Sequence, residues 1–179
     1  MSGGHNIQKM IDEIEKYKLH LIDKNNFSCS IKLVPNIGKA LLQERRKLYI
    51  ISNGTEILYV GETNTSIKKR FQRGSVFYNY YKRNDEQKAR GGYKGYKWFN
   101  TVENIHRELD VLAIVFHDSK DGHREFVEAV EGELVYLVRH KTGEWPKFQN
   151  EIHFSNCTDA LETAQLILDK LIDFKLMKK

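Results

Sequence analysis

Residues 47–71 read Lys47-Leu48-Tyr49-Ile50-Ile51-Ser52-Asn53-Gly54-Thr55-Glu56-Ile57-Leu58-Tyr59-Val60-Gly61-Glu62-Thr63-Asn64-Thr65-Ser66-Ile67-Lys68-Lys69-Arg70-Phe71. Two runs rich in β-branched and aromatic residues, 47–51 and 57–60, flank Ser52-Asn53-Gly54-Thr55. Asn-Gly between two such runs signals a tight hairpin, because both turn positions call for positive φ. Tyr49 and Tyr59 are therefore expected on neighbouring antiparallel strands. Thr63-Asn64-Thr65-Ser66 is a series of helix N-cap residue types, and Ile67 to Phe71 reads as a short basic helix behind it.

C-terminal to this block, residues 74–100 are rich in Gly and Tyr without a clean period, as expected of a long loop or insertion. Leu109 to Phe116 is almost continuously apolar and suits a central strand. Arg124 to His140 has strong helical periodicity and ends at Lys141-Thr142-Gly143. Asp159 to Met177 reads as a second long helix with Thr158 or Asp159 as its N-cap. On the N-terminal side, Ile7, Met10, Ile11, Ile14, Tyr17 and Leu21 recur at three- and four-residue steps. That spacing predicts an amphipathic helix over Ile7 to Ile22. A short strand around Ser30 to Val34 and a short helix from Ile37 to Arg46 would follow. The expected architecture is one α+β domain, a small and mainly antiparallel three-stranded sheet flanked by helices. Residues 1–46 would form a helical extension, 47–155 the core with an insertion at 72–100, and 156–179 a packed C-terminal helix.

The composition bounds the function. The chain has 179 residues, 40% of them hydrophobic and 30% charged, as in an ordinary folded domain. No apolar run reaches the roughly 18 residues of a membrane-spanning helix, and Met1 to His5 leads into no apolar signal core. Cys29 and Cys157 lie far apart, so a reduced, cytoplasmic setting without disulfides is expected. The net charge is +5 and unevenly spread. Lys68, Lys69, Arg70, Arg73, Lys82, Arg83, Lys88, Arg90, Lys94 and Lys97 are opposed only by Asp85 and Glu86. One thirty-residue segment thus holds an excess of +8 and the rest of the chain sums to −3. A polyanion is the partner such a segment fits.

Candidate chemistry begins on the helix predicted for Arg124 to His140. Val127, Val130, Leu134, Leu137 and Val138 form its apolar stripe, and Glu131 falls inside that arc, with Glu128 and Glu133 toward its edges. A carboxylate among apolar side chains must be protonated, paired or bound to a metal. An arginine such as Arg70 or Arg139 could satisfy it. The two tyrosines could be simple cross-strand packing, Arg70 a solvated charge, and Asn150, after Trp145-Pro146-Lys147-Phe148-Gln149, a turn residue. The seven histidines show no zinc spacing, and Gly91-Gly92-Tyr93-Lys94-Gly95 is not a Walker loop.

Taken together, the order Lys47-Leu48-Tyr49, a ten-residue step to Tyr59-Val60-Gly61, and Arg70 in Ile67-Lys68-Lys69-Arg70-Phe71 resembles the signature of the GIY-YIG nucleases. Glu131 followed by Leu134-Val135 is similar to the family's metal-binding glutamate, and Asn150 to its late asparagine. The resemblance covers roughly residues 47–150. Lys47 stands where the family has its first glycine and Leu48 where it has isoleucine, and the stretch between Arg70 and Glu131 is longer than the minimal domain.

The resemblance implies a metal-dependent endonuclease that hydrolyses DNA phosphodiester bonds, restriction-type or stand-alone, with Mg²⁺ (or Mn²⁺) as cofactor. Tyr49, Tyr59, Arg70, Glu131 and Asn150 would be its catalytic residues, with Glu131 holding the metal. One carboxylate suffices for a divalent ion that keeps most of its waters, an arginine can grip a phosphate bidentately, and a tyrosine can act on the attacking water once cations assist it. Lys68, Lys69, Arg73, Lys82, Arg83, Arg90, Lys94 and Lys97 would bind DNA, most simply the duplex. The aromatics Phe77, Tyr78, Tyr80, Tyr81, Tyr93, Tyr96, Trp98 and Phe99 interleave with them and could stack on bases. A DNA-repair nuclease, or a nucleic-acid-binding module that kept the fold and lost catalysis, are the alternatives.

Overall fold

The computed structural model describes residues 10–23, 28–33, 40, 42–71, 108–117, 123–149, 152 and 154–177. Five strands and three helices occur among them: β1 (Ile11–Asp23), β2 (Ser28–Leu33), β3 (Lys47–Ser52), β4 (Ile57–Thr63), α1 (Ile67–Phe71), β5 (Glu108–Phe116), α2 (Arg124–Thr142) and α3 (Ala160–Asp173). The strands form one sheet in the order β2-β1-β5-β3-β4, every neighbouring pair antiparallel. The fold is α+β.

β5 lies in the middle of the sheet. All of residues 109–116 are buried, because this strand is covered on both faces, which is why its sequence is continuously apolar rather than alternating. On one face Leu48, Ile50, Val60, Leu112 and Ile114 pack against Val127, Val130, Leu134 and Val138 of α2 and Ile167 and Leu171 of α3. On the other, Tyr17, Leu19, Tyr49, Ile51, Tyr59, Val111 and Ala113 form a second core with Ile67 and Phe71 of α1. The period-two alternation of side chains along a strand therefore sends Tyr49 to the α1 face and its neighbours Leu48 and Ile50 to the α2 face.

Several expectations are corrected. The sheet has five strands, not three, and Ile11–Asp23 is a strand rather than part of a helix over residues 7–22. The apolar positions of that segment fit a 3.6-residue period and a two-residue period alike. Pairing along β5 decides between them, with Lys16 and Lys18 both reaching Asp110 of β5 at 3.2 and 3.0 Å. The expected N-terminal helical extension is thus, from residue 11, part of the central sheet. Gln43 to Arg46 form no helix. They run irregularly into β3, held by side chains described below. The β3–β4 connection spans residues 53–56, and Gly54 is its residue at positive φ, 88°; Asn53 stays out of that region. Instead, Asn53 Oδ1 accepts hydrogen bonds from the backbone N–H groups of Thr55 and Glu56 at 3.0 and 2.9 Å, an Asx turn. The last helix ends at Asp173 rather than Met177, and Asp159 precedes it at φ 68° without a side-chain cap. The helices expected at 67–71 and 124–140 and the strand expected at 109–116 are present, as is the short strand near residue 30.

Candidate active site

Tyr49 and Tyr59 are brought together by the register of the hairpin. Tyr49 lies opposite Gly61 and Tyr59 opposite Ile51, so the two rings occupy diagonal positions on the α1 face with centroids 5.8 Å apart. Both are almost fully buried. Gly61 makes this possible. A Cβ at that position would fall 2.5 Å from Tyr59 Cε1 and 2.9 Å from each phenolic oxygen. The two hydroxyls thus converge over the space that a side chain at 61 would take. Gly61→Ala should force the rings apart at an overpacking cost of about 1–3 kcal/mol. Parallel melting curves of the variant and wild type would show this cost.

Arg70 completes the group. Ser66 caps α1, its Oγ accepting from the Lys69 N–H at 3.2 Å, and the short helix aims Arg70 back at the sheet. Its Nη2 and Nε donate to Tyr49 Oη at 2.9 and 3.3 Å, with the guanidinium carbon 5.4 Å from the ring centroid. Phe71 packs edge-on against Tyr49 from the same helix, centroids 5.5 Å apart. With two N–H groups already donated to Tyr49 Oη, the phenolic proton must point away from Arg70. Lys68 and Lys69 are exposed on α1, Lys69 paired with Glu44. Arg73, Lys82, Arg83, Lys88, Arg90, Lys94 and Lys97, the aromatics of the expected insertion, and Asn150 lie outside the described residues.

Glu131 arrives from α2, across the edge strand β4. Burial pushes its carboxyl up to about 8, with the charges of Glu62 and Glu128 raising it further and that of Arg70 pulling it down. Glu62, Glu128 and the arginine that holds Tyr49 are thus all within electrostatic reach of Glu131. No described residue donates a hydrogen bond to it. Its two flanking acids are engaged, Glu62 by Arg46 at 2.5 Å and Glu128 by Arg124 at 2.7 Å. Arg139, one of the partners expected for Glu131, instead stacks over Trp145 at 4.4 Å.

No family model, curated protein or solved structure matches this chain. No helix among the described residues is long and apolar enough to cross a membrane.

The residues present fit a divalent ion held mostly by water. Among the described residues no three His, Cys, Asp or Glu side chains converge as a closed metal cage. Mg²⁺ asks for less, one or two carboxylates with the remaining positions hydrated. Glu131 offers a partly buried carboxylate whose ionised form is disfavoured until a cation compensates it.

Two functional supports had no sequence signal. Lys47, at the signature's first glycine, is completely buried, and its Nζ donates to the carbonyls of Gln43 and Thr65 at 3.0 Å each and to that of Arg45. It ties the start of β3 to the turn that launches α1. Gln149 is the other. Its carboxamide pairs with both backbone groups of Val60, accepting from N–H and donating to C=O at 3.0 Å each. With the Lys147 and Phe148 N–H groups on Ile57 and Leu58, this covers the β4 edge up to the residue before Gly61.

Proposed function

We propose that this chain is a metal-dependent endonuclease of the GIY-YIG type that hydrolyses DNA. The observation that carries the reading is the convergence at Gly61: two phenolic oxygens over one missing side chain, that of Tyr49 accepting from two N–H groups of Arg70, with Glu131 within electrostatic reach of the same arginine. Packing alone does not call for a buried tyrosine hydroxyl doubly bound by a guanidinium beside a desolvated acid.

In the proposed reaction Tyr49 or Tyr59 first gives up its phenolic proton to solvent, and the resulting phenolate orients the attacking water and takes up its proton. Arg70 fixes Tyr49 and presents a guanidinium suited to a non-bridging phosphate oxygen. Glu131 holds the divalent ion, Mg²⁺ or Mn²⁺. When bound, that ion supplies charge relief at the scissile phosphate and its leaving oxygen. Lys68 and Lys69, exposed beside Arg70 on α1, would bind flanking phosphates. Repair and restriction roles share this chemistry.

The test is cleavage of mixed plasmid and phage DNA with Mg²⁺ and with EDTA, using wild type, Tyr49→Phe and Tyr59→Phe. Metal-dependent fragments are expected from wild type. Loss of the hydroxyl that serves as the base should cost about 10²–10⁴-fold, and Tyr49→Phe is expected to be the more damaging change because its oxygen is the one Arg70 holds. DNA that stays intact yet shifts on a gel with all three proteins would leave a binding module instead.

A further inference from the structure

We infer that the cleft between the β3–β4 turn and the C-terminal end of α2 is a subsite for one unpaired nucleotide of the substrate, its base on Trp145 and its phosphate on Lys141. This rests on the nuclease reading and deepens it. DNA with an unpaired nucleotide near the cut becomes the preferred substrate class.

The cleft has a volume of about 390 Å³, and its walls include Glu56, Ile57, Val138, Lys141, Trp145 and Lys147. That volume lies in the range of about 300–1,000 Å³ usual for small-ligand sites. The two elements that carry the candidate active site also reach the cleft. β4 has Ile57 at the cleft and, about 13 Å further along the strand, Gly61 at the tyrosines. α2 has Val138 at the cleft and, about 10 Å back along its axis, Glu131. A distance of about 13 Å is about four nucleotides at duplex rise, so one strand can reach both places.

The chain around Trp145 holds the ring out. Gly143 closes α2 at φ 82°, its N–H donating to the Arg139 carbonyl at 2.7 Å. Thr142 Oγ1 donates to the Val138 carbonyl at 2.8 Å and accepts from the Glu144 N–H at 3.3 Å. On the far side of the ring Pro146 is buried, and the Lys147 N–H donates to the Ile57 carbonyl at 3.3 Å. Arg139 lies over the indole, 4.4 Å from its centroid, and is no part of the cleft wall. One surface of the indole is thus backed by a guanidinium while another faces the cleft. The residue remains 41% exposed, although the backbone is fixed on both sides of it. A tryptophan serving only as packing would be more deeply covered.

The charges suit one nucleotide better than a run of phosphates. Lys141 and Lys147 share the cleft with Glu56 and Glu144, and Arg139 stands behind Trp145. Glu56 is held by Asn53 Nδ2 at 3.0 Å and by Lys147 at 3.8 Å, while Lys141 has no acid partner among the described residues. One uncompensated cation matches one phosphate, and one indole surface matches one base. A base can reach that surface only when it has left the duplex stack.

The test uses the full chain in EDTA and two fluorescein-labelled DNAs, a blunt duplex and the same duplex with a single-stranded thymidine tail. Anisotropy titrations should show wild type binding the tailed DNA more tightly. Trp145→Ala should weaken tailed binding about 5–100-fold and leave blunt binding within about twofold of wild type. Trp145→Phe should recover most of the loss. Lys141→Gln should weaken tailed binding and lower the salt slope by about one ion.

Equal losses on both DNAs, or no loss on the tailed one, would make Trp145 a packing residue and overturn the inference. If Trp145→Ala does not fold, Trp98→Phe decides, because it leaves Trp145 as the only tryptophan of the chain. Its fluorescence should be quenched by the tailed DNA and not by the blunt one, and an unchanged signal overturns the inference equally. A wild type that cleaves DNA with Mg²⁺ but shows no preference for the tail removes only the subsite. Tail-dependent binding without any cleavage keeps the subsite and removes the nuclease reading.

Discussion

Glu131→Gln is expected to abolish DNA cleavage, by about 10³-fold or more, while making the metal-free protein more stable than wild type at alkaline pH. The two effects have one cause. Glutamine keeps the shape of the side chain and removes the charge that burial, Glu62 and Glu128 all oppose. A carboxyl that titrates at about 8 when folded, against an ordinary 4.5, is protonated in the native state and ionised in the unfolded chain across that whole interval. The folded protein therefore holds the extra proton. The stability this contributes is complete below pH 4.5 and is lost as the pH rises through 8, at up to about 1.4 kcal/mol per pH unit. Glutamine has no proton to lose, so the variant's stability should not share this decline. At pH 9 the variant should be ahead by up to roughly 5 kcal/mol. Denaturant melts of both proteins in EDTA from pH 5 to pH 9 would show the two curves separating. A glutamine variant that is less stable at every pH would mean that the ionised carboxylate is a satisfied structural group, and the cation would then have to be held elsewhere.

The unusual placement of Glu131 was partly legible in the sequence. Glu131 stands out because a charge inside an apolar arc contradicts the local pattern, and such contradictions mark sites where function overrides packing. The tyrosine hairpin and α1 were legible for a different reason: their signals are local, carried by Asn53-Gly54, by Gly61 and by the cap residues before Ile67. What could not be read depends on distant partners. Ile11–Asp23 satisfies two periods, and only the unpaired side of β5 selects the strand. Glu62 has no spacing signal at all, because its partner Arg46 comes from another segment. Gln149 carries no sequence signal, because its role depends on the edge of β4 passing beside it.

Lys47→Met is expected to be strongly destabilising, by about 3 kcal/mol or more, and Lys47→Gly should be no better. The side chain is fully buried, and the carbonyls of Gln43, Arg45 and Thr65 all turn toward its ammonium. Removing it leaves three polar acceptors facing a nonpolar group or a void. A buried acceptor without its donor costs about 1–3 kcal/mol, and glycine adds an unfilled space where the lysine stem had been. The neighbouring residues explain why the chain uses lysine here. Residues 43–46 lack helical hydrogen bonds. Arg45 ties them to Asp12 at 3.2 Å and to the Phe116 carbonyl at 2.6 Å, Arg46 to Glu62, and Glu44 to Lys69. Lys47 supplies the donor that their inward carbonyls need. Because Thr65 belongs to the turn that starts α1, losing this clasp should also loosen Arg70 and Tyr49. Lys69→Ala, which breaks only the exposed pair with Glu44, should leave the melt unchanged. Urea melts of the three variants beside wild type measure this directly. A Lys47→Met protein as stable as wild type would show that the carbonyls are satisfied by water.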